Sequence, residues 1–135
     1  MKKAKLFLAV LVSVAALCGC SLSSSEKIKL RDLDFTVLSE EMILPELKTV
    51  IEERKAEAFK LTYSDTENMY IVIGYGQQQT GGYSIAVNEL YLTDDAIYVS
   101  TSLLGPQASE KSKQNPSWPY IVIKTELLDK TVIFE

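Results

Sequence analysis

Residues 69–74, MYIVIG, are apolar on both parities of an extended chain. Successive side chains of a strand point to opposite faces, so this run needs cover above and below. The rest of the chain must supply two layers around it. At 135 residues there is enough chain for one domain, and 47% apolar with 24% charged side chains is an ordinary globular balance.

Other strands follow from alternation. Residues 33–38 place Leu33, Phe35 and Val37 on one parity, and residues 59–63 (FKLTY) alternate cleanly before turn residues 64–68. In residues 82–92, Tyr83, Ile85 and Val87 alternate, and the apolar parity then shifts to Leu90 and Leu92. One extra residue near Asn88-Glu89, a bulge, repairs the phase. Thr93-Asp94-Asp95 turns the chain, and residues 96–104 return as the hairpin partner. Residues 120–124 and 131–134 supply two more strands, with a turn over 127–130.

A single amphipathic helix is expected from Pro45 to about Lys55. Proline suits the first turn, where its missing N–H has no partner to lose. Leu44, Leu47, Val50 and Ile51 share one face above Arg54, while Glu46, Lys48, Glu52, Glu53 and Lys55 point outward. The expected fold is α+β: a mostly antiparallel β sandwich or partly open barrel of about six to seven strands, covered by that helix.

The first 20 residues look like an address. Lys2, Lys3 and Lys5 precede an apolar run over residues 6–17, shorter than the roughly 20 residues a membrane span needs. Leu17-Cys18-Gly19-Cys20 resembles the lipobox of bacterial lipoproteins, although Cys18 stands where Ala, Ser or Thr is commoner. That resemblance implies cleavage after Gly19 and a lipid on Cys20; ordinary secretion is the alternative. Residues 20–27 then form a lipidated cysteine and polar tether, and residues 28–135 the domain. The expected location is the cell membrane or surface of an exporting cell.

Loss of residues 1–19 would remove three lysines, leaving 11 basic and 18 acidic side chains and a net charge of −7. An acidic domain repels phosphate backbones, so nucleic acid is not an expected partner. Histidine is absent, and lipidation of Cys20 would consume the last thiol. Ser-His and Cys-His catalytic pairs and Cys/His zinc sites are thereby excluded. The carboxylates form no recognisable acid/base pair or calcium loop. No catalytic residue, metal or cofactor is expected, and the chain is not read as an enzyme.

Two loops stand out. Residues 74–83 (GYGQQQTGGY) bracket a polar tip with glycines, with no GxxxxGK[ST] pattern and no following helix to hold a phosphate. They suit either a plain hairpin loop or a partner contact. Residues 105–119 hold three prolines and little apolar content, and loops of that length are functional or loosely ordered. Trp118 lies within it as a candidate anchor for a protein or a sugar ring. The candidate contact residues are Gln77, Gln78, Gln79, Thr80, Gly81, Gly82, Tyr83 and Trp118, within loops 76–82 and 107–119. The other tyrosines suit packing between strands.

The strings GQQQTGGYSI and PYIVIK…VIFE resemble the PrcB C-terminal domain family, whose members show a GxKPTGGYxI-like segment and a later PYxxVxI strand. Thr80, Gly81, Gly82, Tyr83, Pro119 and Tyr120 match. Gln78-Gln79 replaces the usual Lys-Pro and Thr125-Glu126 a common Ile-Pro. The similarity spans roughly residues 59–135, with the helix as its N-terminal part. The family is named for a lipoprotein subunit that associates with a secreted protease and supports its stability. The resemblance therefore implies a lipid-anchored accessory protein with a protein partner, stabilised or inhibited, and no catalytic residues. A small-ligand or cell-wall glycan binder, stacking a sugar on Trp118 with Tyr75 or Tyr83, is the alternative.

Overall fold

The computed structural model describes residues 27–107 and 115–135. Eight strands are assigned among them: β1 (Arg31–Asp32), β2 (Phe35–Val37), β3 (Ala58–Ser64), β4 (Asn68–Tyr75), β5 (Ser84–Leu92), β6 (Ala96–Leu104), β7 (Tyr120–Glu126) and β8 (Thr131–Phe134). One helix, α1 (Pro45–Arg54), follows a single 3₁₀ turn at Glu40–Met42. The strands form two four-stranded sheets, ordered β1-β5-β6-β8 and β2-β7-β4-β3, which face each other as a sandwich. All pairings are antiparallel except β6 with β8.

Strand β4 occupies the position its composition demands. Met69, Ile71 and Ile73 meet Leu90, Ile97, Val99, Ile121 and Ile123 between the sheets. Tyr70 and Val72 point the other way, into a second layer with Leu47 and Ile51 of α1. Ile71 and Val72 have no exposed surface. Burying such aliphatic side chains contributes roughly 1.5–3 kcal/mol each, which makes β4 the centre of both cores.

The helix begins at Pro45 and buries Leu47 and Ile51, with Val50 only half covered and Arg54 exposed. The Tyr63 hydroxyl donates to Glu46 at 2.9 Å, tying β3 to the first turn of the helix. Gly74 lies opposite Phe59 in the β3–β4 ladder, and a Cβ there would stand 2.2 Å from the Phe59 ring. Only glycine leaves room for that ring beneath the helix layer.

The β5–β6 hairpin has the expected bulge. Its register skips Asn88 between Val87 and Glu89, which returns Leu90 and Leu92 to the core side. Thr93 closes the turn: its hydroxyl donates to the Ala96 carbonyl and accepts from the Asp95 and Ala96 amides.

Three details differ from the expectation. Of the strand expected over 33–38 only Phe35–Val37 pairs, as β2; Arg31–Asp32 before it form β1 in the other sheet, because Leu33 turns inward between the sheets and the chain changes sheet there. Residues 127–130 likewise link strands of different sheets, so β8 lies parallel beside β6 instead of returning along β7. The loop over 76–83 is not a hairpin loop. It carries the chain from β4 in one sheet to β5 in the other. The expected signal segment and lipobox-like motif through Cys20, most of the expected tether, and residues 108–114 lie outside the described residues.

Candidate functional site

The two distinctive loops meet. Gln78 and Ser117 form an isolated antiparallel bridge, with the Gln78 amide 2.7 Å from the Ser117 carbonyl and the return bond at 3.0 Å. The Ser117 hydroxyl adds a bond to the Thr80 carbonyl at 2.7 Å. Below them, the Tyr75 amide donates to the Pro119 carbonyl at 3.0 Å. The Gln78 side-chain amide donates to the Tyr75 carbonyl at 3.2 Å. Each bond satisfies a polar backbone group that a crossover would otherwise leave to water.

Glycines make the crossing possible. Gly76 and Gly82 have φ of 77° and 86°, a region that side-chain-bearing residues rarely adopt. A Cβ on Gly76 would lie 3.0 Å from the Ala58 nitrogen, so the loop begins against the connection between α1 and β3. Three segments therefore converge: residues 55–58, 75–83 and 115–120.

Of the predicted contact residues, Gln77, Gln79 and Gly82 are exposed, and Gln78, Thr80, Gly81 and Tyr83 are partly covered. Trp118 is 37% exposed, with the Lys55 ammonium 5.7 Å from its ring centre. Lys55 also pairs with Glu52 at 3.0 Å. Beside them, burial first, and then the Glu40 and Glu52 charges, push the Tyr120 phenol above its ordinary pKa. The result is a polar surface with the exposed Trp118 ring at its margin.

Tyr75 and Tyr83 are placed differently from Trp118. The Tyr75 hydroxyl bonds the Thr101 hydroxyl at 2.6 Å across the sandwich, and its ring packs against the inter-sheet core. It is a tie between the sheets, packed away from Trp118. The Tyr83 ring faces the Gly105 backbone. Sequence reasoning did not single out Ser117 or Lys55. Ser117 acts through its backbone and one hydroxyl, and Lys55 looks like any outward helix residue.

Among the described residues, no group of three or more Asp or Glu side chains could hold a metal ion, and no helix is long and apolar enough to cross a membrane. No curated protein and no solved structure matches the chain. A family model described as PrcB C-terminal matches residues 69–126. That segment runs from β4 through β7 and contains both halves of the loop bridge, while α1, β3 and β8 lie outside it. Residues 69–126 thus form a PrcB C-terminal-like domain segment, the family that the TGGY and PYIVIK strings resemble.

Proposed function

We propose that the protein is a lipid-anchored accessory protein of the cell surface that binds and stabilises a partner protein, a secreted or surface protease. The bridge between Gln78 and Ser117 carries this reading, because it joins two polar loops into one surface beside a half-exposed tryptophan. Interfaces draw much of their energy from such aromatic anchors surrounded by adaptable polar groups. The PrcB C-terminal match supports a protease partner and a non-catalytic role. The lipobox at Cys20 supports the anchor.

A subunit of this kind acts by mass action. It binds the folded partner and not the unfolded chain, so it adds RT ln(1 + [L]/Kd) to the partner's stability. A glycan site would need a second exposed ring beside Trp118; Tyr75 packs against the inter-sheet core, and Tyr83 is partly covered.

A tagged chain from residue 21 onward, mixed with native surface extract, tests the reading. Recovery of one defined protease, lost on Trp118→Ala or on replacing Gln77–Gln79 by Ala, is the expected result. Co-sedimentation with peptidoglycan and no recovered protein would contradict it. For the anchor, Cys20→Ser should move the protein to the soluble fraction, and retention in the membrane would refute lipidation.

A further inference from the structure

The sandwich has two long sides, and one of them is open. Strand β3 ends one sheet and β8 ends the other. Among the described residues, β3 pairs only with β4, and β8 only with β6. Half the backbone N–H and C=O groups of each strand therefore face outward with no ladder to join.

Between these two edges runs a trench. Lys60, Thr62 and Ser64 stand opposite Ile73, Ile71 and Met69 in the β3–β4 register, so they lie on the face that looks toward the other sheet. Among the described residues that sheet stops at β8, and none of them fills the space beyond. One depression of about 670 Å³ has Met69, Leu128 and Val132 in its walls beside Thr62 and Ser64. A second of about 270 Å³ is lined by Lys60, Ile73, Val99 and Glu135. Phe134 lines both and divides them. The seven residues of β3 give the trench a length of about 23 Å.

Lys60 sets the chemistry. Its ammonium lies 5.6 Å over the Phe134 ring and belongs to no ion pair among the described residues. An inward lysine on an edge strand blocks indiscriminate strand pairing. It favours an added strand that brings a negative charge, the Glu135 carboxylate of the same depression being held by Lys27. A second copy of this chain would bring another Lys60 into the same trench. A compact small molecule would leave the free strand edges unused.

We infer that the trench takes an extended segment of the partner protein as an added strand on β3. An apolar side chain enters the larger depression and an acidic side chain meets Lys60. Free backbone edges supply the hydrogen bonds, and the two depressions supply selectivity for alternate residues. The inference rests on the protein-binding reading and assigns a surface separate from the bridged loops.

Random heptapeptides displayed on phage and panned against the full-length chain in nanodiscs provide the test. Enriched peptides should alternate apolar residues and carry an Asp or Glu. A synthetic copy of the strongest should lose at least tenfold in affinity when the amides of one alternate set are N-methylated. Thr62→Trp, which fills the trench at an exposed position, should abolish its binding, and Lys60→Glu should shift the selection toward Lys or Arg. Trp118→Ala should leave peptide binding unchanged. No enriched sequence, or full affinity retained in both singly methylated forms, would overturn the inference. So would a peptide lost in Trp118→Ala but kept in Thr62→Trp, an outcome that leaves the loop reading intact.

Discussion

The two long sides of the sandwich are built in opposite ways. On the β1–β2 side the chain itself crosses between the sheets, and Leu33, 3% exposed, plugs the crossing. The buried Thr125 hydroxyl donates to the Asp34 carbonyl at 2.7 Å, and Arg31 of one sheet holds Glu126 of the other with two bonds of 3.0 and 3.2 Å. This side leaves Phe35 and Val37 half exposed but is stitched at every level. On the β3–β8 side, β3 and β8 do not pair with each other, residues 127–130 line only the larger depression as they cross, and Lys60 lies over Phe134 beyond them. Stability is concentrated on one side, which leaves the other free to receive something. Regions that bind are drawn from such less constrained parts of a fold.

Substitutions can break this contrast. Leu33→Ala should cost the most, about 2–4 kcal/mol in denaturant unfolding, because the crossing cannot collapse around the cavity. Phe134→Ala removes a larger side chain from the open side, yet should cost only about 1–2 kcal/mol, since the ring is only partly buried at the core's edge. A reversed order would show that the trench side carries the fold. Tyr75→Phe deletes the tie to Thr101 near the loops and should cost about 1 kcal/mol.

Arg31→Ala should have a smaller effect, one that salt screens further. Its signature is in the pH dependence. The hydrogen bond and charge of Arg31 hold the Glu126 carboxyl below its ordinary pKa. That contribution is present above the unfolded pKa of about 4.3 and fades as pH falls through the folded value. In β3–β4 the Asn68 and Glu67 amides likewise lower the pKa of Asp65, so Asp65→Asn should also flatten the acid limb of stability below about pH 4. An unchanged slope in both variants would remove these carboxylates from the account. Trp118→Ala should change stability least, within about 0.5 kcal/mol, because the ring is outside both cores.

Much of the architecture was legible where one physical rule dominated. The two-faced burial of β4, the bulge at Asn88, the hairpin turn at Thr93 and the proline start of α1 each follow from local periodicity or turn chemistry. Sheet membership did not. A strand's alternation says which residues face inward, but not which neighbour supplies its hydrogen bonds. The crossings at Leu33, 76–83 and 127–130 therefore resembled a continuous strand, a hairpin loop and a simple turn. The two loops were separately conspicuous for glycine and proline. Their joining through Gln78 and Ser117 depends on backbone groups that every residue carries, so no side-chain pattern announces it. The trench is an absence of strands, and composition does not record where a sheet stops.

The most direct measurement places a photoactivatable benzoylphenylalanine at position 118 in the full-length chain and irradiates intact cells. A cross-link to a single protease is predicted, and it should disappear when Gln77–Gln79 are replaced by Ala at unchanged protein abundance. Cross-links confined to lipid or glycan, or a protease adduct indifferent to the glutamines, would contradict a partner surface formed by the bridged loops.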